Sequence, residues 1–127
     1  MRWAGLFVLL TGPAFADPVL ISIDFPTESI TAAGADIALI ERILDMNGNP
    51  ALRVGLHPSF DARFAEITQE NIGEVIAIRV CGEIVVEPVL HTQLPKADVI
   101  LTVRTAAEVN RLDEILTTMT CPGQPVS

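Results

Sequence analysis

Three side chains in the second half of the chain have the donor chemistry of a metal site: Glu83, Glu87 and His91. Carboxylate oxygens and an imidazole nitrogen are what a divalent ion binds. Steps of four residues along an extended strand return to one face, so the three heads fit the same side of a sheet. A stretched backbone holds those heads far apart and only one is an imidazole, so the preferred reading is a solvated strand face. His57, Ser59 and Asp61 supply a base, a hydroxyl and a carboxylate in near succession. Triads are assembled in space from separate elements, and no nucleophile-elbow pattern accompanies these residues. His57, just before Pro58, reads as a surface or capping residue, and Glu66, Glu70 and Glu74 as a solvated acidic flank. The sequence carries no P-loop, dinucleotide fingerprint or H-E-x-x-H motif. No catalytic residue, metal or cofactor is expected.

Cys81 and Cys121 are the remaining reactive pair. A redox-active pair sits close together, as in C-x-x-C, and these two do not. Their meaning turns on the compartment, which the N-terminus addresses. Met1-Arg2-Trp3 carries a positive charge, Ala4 to Leu10 is apolar, Thr11-Gly12-Pro13 breaks the run, and Ala14-Phe15-Ala16 is an A-x-A cleavage pattern. That order predicts a signal peptide over residues 1–16, cut after Ala16, leaving one domain over 17–127. The rival reading, a buried helix over Trp3 to Leu10, meets Gly12-Pro13 and then Asp17-Pro18. No cysteine follows the cleavage site to carry a lipid. An even pair of cysteines in an exported, periplasmic chain predicts a Cys81–Cys121 disulfide.

The whole chain has 127 residues, 8 Lys+Arg against 16 Asp+Glu, and a net charge of -8. That length is one domain. With 50% hydrophobic and 19% charged residues it is too apolar to stay unfolded. No apolar run reaches the ~18 to 20 residues that span a bilayer. Phosphate backbones are repelled by such an acidic chain, and its basic residues are scattered, so nucleic acid is not expected as a partner.

Val19 to Ile23 reads as a strand ending at Pro26, and residues 27–35 as a connection. Asp36 to Asp45 fits helix and strand equally by spacing, but Asn47-Gly48 is a hairpin signal and Ala51 to Leu56 alternates beyond it. Pro58-Ser59 opens a helix with Phe60, Phe64 and Ile67 on its apolar stripe, stopping near Asn71 to Gly73. Glu74 to Val80 alternates as a strand, Cys81-Gly82 fits a two-residue turn, and Glu83 to Leu90 returns beside it. Pro88 removes a ladder donor, which places that return strand at an edge or a bulge. Ala97 to Val103 is a further strand. Thr105 to Glu108 forms a capping box ahead of a helix with Val109, Leu112, Leu116 and Met119 on one stripe. Two helices over one face of a mainly antiparallel sheet make an α+β sandwich of two layers.

The run Phe64-Ala65-Glu66-Ile67-Thr68-Gln69-Glu70-Asn71-Ile72-Gly73-Glu74, followed by Ile76-Ala77-Ile78, Gly82-Glu83-Ile84 and Pro88-Val89-Leu90, resembles the head subdomain of the first periplasmic domain of SecD, of the SecDF family. Gly34-Ala35-Asp36-Ile37 and Asn47-Gly48-Asn49-Pro50-Ala51 are similar to that family's first hairpin, which favours a strand for residues 36–45. Thr105 to Leu116 is similar to its closing helix, so the resemblance covers about residues 31–118. Cys81 stands at the family's turn aspartate, and no glycine lies between Gly82 and Gly123. The family's membrane-spanning motor has no counterpart here.

The resemblance implies a soluble periplasmic, non-catalytic module that binds polypeptide, whether secreted clients or the export machinery. A secreted enzyme, an inhibitor and a structural envelope protein are the alternatives, because a fold does not fix a function. The expected binding element is the edge strand at Val85, Val86, Glu87, Pro88, Val89 and Leu90, where an extended peptide adds as a further strand. Trp3 is the chain's one tryptophan and it has no tyrosine. Cleavage after Ala16 therefore leaves material from the periplasm without tryptophan emission, and strong emission there would refute the cleavage.

Overall fold

The computed structural model describes residues 19–122, so the segment read as a signal peptide and its cleavage site lie outside the described residues. Seven strands and two α-helices follow in the order β1 (Ile21–Asp24), β2 (Ser29–Ala32), β3 (Ile37–Leu44), β4 (Pro50–Leu56), α1 (Asp61–Glu70), β5 (Ala77–Val80), β6 (Glu83–Val86), β7 (Asp98–Thr102) and α2 (Ala106–Thr118). The fold is an α+β sandwich, and the single sheet expected from the sequence is divided in two. A four-stranded sheet runs β2-β1-β5-β6 and a three-stranded one β3-β4-β7. All the strand pairs are antiparallel.

Residues 27–35, expected as a connection, contain β2. Ile30 and Ala32 turn inward while Ser29 and Thr31 face water, a strand pattern too short to stand out without its partner β1. Within residues 36–45, which spacing alone leaves open, Ile37–Leu44 is a strand, as the resemblance implies, and Asp36 ends a single 3-10 turn ahead of it. Asp45 accepts the amides of Asn47 and Asn49 at the tip, and Gly48 has φ +82°. The alternation expected for the six residues after the tip gives way to nearly continuous burial, because β4 is the central strand of its sheet: of residues 51–56 only Arg53 is part-exposed, and Leu52 and Val54 are fully buried.

The first helix begins as a single 3-10 turn at Pro58–Phe60 and becomes α-helical at Asp61. Phe64 and Ile67 are buried, and the Phe64 ring meets Phe25 edge-on at 6.2 Å. In α2 the buried stripe is Val109, Leu112, Ile115 and Leu116. Met119, expected on that stripe, instead caps the helix in the left-handed conformation (φ 58°) and is half exposed. The Thr105 hydroxyl accepts the Glu108 amide as a cap should, while the Glu108 carboxylate turns to Arg111. α2 lies across β3 and β4. Leu20, Ile23, Leu52, Phe64, Leu101 and Leu112 all belong to one contiguous apolar core, so both sheets and both helices share it.

Polar groups pin the long connection between β6 and β7. The Thr68 hydroxyl, fully buried, donates to the Ala65 carbonyl and accepts the Leu94 amide at 3.0 Å. Asp61 accepts the Ala97 amide at 2.9 Å, and Gln93 donates to the Ala65 carbonyl. Asn71, also buried, returns its side-chain amide to the Ile67 carbonyl and closes the helix. Residues 91–97 thus lie strapped along α1.

Cys81 and Cys121 form a disulfide with 5.6 Å between their Cα atoms. Cys81 (φ 54°) and Gly82 (φ 84°) both take positive φ, as a two-residue turn of the primed kind requires. The sulfur bridge ties that turn to the residue beyond α2. Across a sequence separation of 40 residues the chain-entropy contribution is about 4 kcal/mol. Reduction, or Cys81→Ala with Cys121→Ala, is expected to lower the unfolding free energy by up to that amount, read from denaturant midpoints with and without reductant. Thr68→Val leaves the Leu94 amide without its acceptor. It is expected to cost about 1 to 3 kcal/mol and to speed hydrogen exchange at Leu94.

Candidate functional site

β6 is an outer strand of its sheet. Its register against β5 slips by one residue, Ile78 opposing Val86 while Arg79 opposes Ile84, so Val85 is the extra residue of a bulge. The bulge separates the acidic side chains expected on one face. Glu83 opposes Val80 on the core side and comes within 3.8 Å of Arg111. Glu87 falls opposite Ala77, on the other side, between the Ile78–Val86 pair and the Val75–Val89 bridge. Among the described residues no three of His, Cys, Asp and Glu converge on a point where an ion would sit. His57, Ser59 and His91 are exposed, and Asp61 is committed to the Ala97 amide.

Past Val86 the strand loosens but stays beside the residues before β5. Pro88 gives its carbonyl to the Ile76 amide at 2.9 Å, and the Leu90 amide donates to Glu74. Pro88 and Leu90 therefore turn their backbone groups inward. By strand alternation the outward groups belong to Glu87 and Val89. Val85 and Val86 are half-buried, Glu87, Pro88 and Val89 exposed, and Leu90 buried. The edge that the sequence assigns to Pro88 is carried by its two neighbours.

The outward side of this segment meets a second sheet edge. β7 is the last strand of the three-stranded sheet, and the Leu56 amide donates to Ala97. That bond fixes the register: Val99 and Leu101 spend their backbone groups on β4, and Ile100 and Thr102 turn theirs outward. Between the two edges lies a cleft of about 330 Å³, lined chiefly by Ile76, Ile78, Pro88, Val89, Leu94 and Ile100. Val89 and Ile100 are about half exposed on its rims. The strapped segment 91–97 closes one end of it. A second hollow of about 460 Å³, reaching Ile43 and Pro95, shares Leu94, Asp98 and Ile100 with the first. This β7 rim escapes sequence reasoning because nothing in Asp98–Thr102 says which side of the strand is paired.

The one acidic group lining the cleft is neutralised. Asp98 accepts from Arg53 at 2.7 Å, and the same guanidinium reaches Glu41 at 3.4 Å. The hydrogen bond to Asp98 holds Arg53 above the ordinary arginine range. On the other sheet Asp24 accepts from the hydroxyls of Ser22 and Ser29 and from Arg79. The Ser22 hydroxyl is the largest cause of its lowered pKa. With Asp98 paired, the cleft is mainly an apolar slot walled by backbone.

No family model and no curated protein matches the chain. Solved structures do. A SecDF structure described as a membrane component that enhances protein export aligns over 81% of this chain and 50% of its own, with a TM-score of 0.62 and 21% identity. SecDF in a super-membrane-facing form aligns over 77% of this chain and 14% of its own, with a TM-score of 0.62 and 23% identity. SecDF of Thermus thermophilus, a translocon-associated membrane protein, aligns over 73% and 13%, with a TM-score of 0.53 and 23% identity. The chain thus spans half the length of the first of these structures and a small part of the others. No described helix is long and apolar enough to cross a membrane. The chain has a SecD-like fold, as the motifs along Phe64 to Leu90 imply.

Proposed function

We propose that this chain is a non-catalytic, extracytoplasmic module linked to protein export, and that it holds extended polypeptide in the cleft between β7 and the segment that follows β6. The observation that carries the reading is the pair of open sheet edges facing one apolar slot. Glu87 and Val89 on one rim and Ile100 and Thr102 on the other offer backbone donors and acceptors, and the floor between them is aliphatic. An extended segment entering there gains main-chain hydrogen bonds from a rim and buries its alternate side chains against Ile76, Ile78 and Leu94. The SecD-like fold supports the link to export, and the signal-peptide pattern together with the disulfide supports a site outside the cytoplasm.

Titration with a permanently unfolded polypeptide, followed by amide chemical shifts, is expected to move residues 84–90 and 99–102. Val89→Asp, on an exposed rim, is expected to weaken that binding about tenfold by removing apolar contact and adding charge, with the fold intact. Unchanged shifts at both rims on saturation with unfolded chain would eliminate the reading.

A further inference from the structure

Among the described residues the longest sheet edge without a partner is β3. It runs for eight residues as the outer strand of its sheet, and among the described residues nothing pairs with its outer side. The Asp45 amide donates to Asn49 at 2.8 Å at the hairpin tip, which makes Glu41–Arg53 and Ile43–Ala51 the hydrogen-bonded pairs of the ladder. Ile40, Arg42 and Leu44 therefore turn their N–H and C=O groups away from β4, towards solvent. The bond from Leu56 to Ala97 on the far side of β4 fixes the same alternation independently. Edges of this length are ordinarily blunted by proline, lysine or a bulge. β3 has its irregularity at Ile37/Leu39, and no proline or lysine follows before Leu44.

The surroundings of this edge select what it accepts. On the outer face Leu39 and Ile43 flank Glu41, and Glu41 leans on Arg53. On the core face a notch of about 240 Å³ opens between the edge and α2, lined by Arg42, Asn110, Asp113, Glu114, Thr117 and Thr118. Arg42 is spent there: it bonds Asp113 at 2.7 Å and also Asn110. Its guanidinium is the first cause of the lowered Asp113 pKa. Glu114 is exposed and joins no ion pair among the described residues. Asp45 stands at the end of the same edge, also unpaired with a cation. A second copy would bring two chains of net charge -8 together at an edge where Asp45 and Glu114 have no cation among the described residues.

We infer that β3 is a docking edge for an extended segment of another polypeptide in which lysine or arginine alternates with aliphatic residues. Paired antiparallel to β3, such a segment drops its basic side chains into the notch beside Glu114 and lays its aliphatic ones on the outer face beside Leu39 and Ile43. The site is on the other sheet from β6 and stands whether or not the cleft binds chain.

The test is an amide-shift titration of the full chain with an eight-residue peptide alternating lysine and valine, beside a counterpart alternating glutamate and valine. The lysine peptide is expected to move Ile40, Arg42 and Leu44, and the glutamate peptide to bind about tenfold more weakly, the ratio that a few exposed charge contacts supply. Ile40→Pro removes an outward donor that no described strand uses and is expected to abolish the shifts. Glu114→Lys, on the exposed face of α2, leaves the edge untouched and is expected to reverse the preference between the peptides. Equal binding of both peptides, shifts confined to residues 83–91, movement of residues 38–44 with protein concentration alone, or slow exchange at Ile40 and Arg42 in the isolated chain would each overturn the assignment.

Discussion

The Thr68 hydroxyl, in the last turn of α1, is the group on which the arrangement of the two sheets depends. No strand of one sheet bonds a strand of the other. What relates them is a common apolar core and the segment from Leu90 to Ala97, and that segment is held by Thr68, Asp61 and the Ala65 carbonyl. Apolar burial is not directional and tolerates sliding. Hydrogen bonds to buried amides do not, because each unmade bond leaves a desolvated donor. The core brings the sheets together, and these few bonds set how they meet.

The edges follow from that division. A single closed sheet would hide its edges, whereas two short sheets expose four, at β2, β6, β3 and β7. The molecule treats them unequally. β6 carries a bulge, and the segment beyond it, with Pro88 and Val89, faces β7 across the cleft. β2 has only four residues. β3 is long and bears its charges in pairs, Arg42 with Asp113 and Glu41 with Arg53. This SecD-like fold thus presents backbone along its sheet edges, and its salt bridges keep that backbone flanked by paired charge.

Much of this was legible beforehand, for identifiable reasons. The Asn47-Gly48 turn, the Phe64 and Ile67 stripe and the Cys81-Gly82 turn are local signals, and the structure has a hairpin, a helix and a primed turn there. Thr68 and Asn71 stood out only as family motif letters. Their burial explains them, since each satisfies a backbone group at a helix end or crossover. β2 was missed because four residues carry too little periodicity to be seen without β1. The split into two sheets, the bulge at Val85 that parts Glu83 from Glu87, and the open side of β7 depend on pairing between distant strands. No residue type encodes which neighbour a strand takes, so the β7 rim of the cleft could not be foreseen from β6.

The bridge between Cys81 and Cys121 also gives the domain a mechanical axis. A helix pulled from its free end peels one turn at a time, since its hydrogen bonds are loaded in series. Here tension on the chain beyond Cys121 passes through the sulfurs into the β5–β6 hairpin before it reaches the last turn of α2. The hairpin shares that load with β1, whose amide partners lie side by side along β5. Bonds that share a load must break together, so the covalent link exchanges an end that unzips for one that resists shear, and it places the tip of β6 on the line of force.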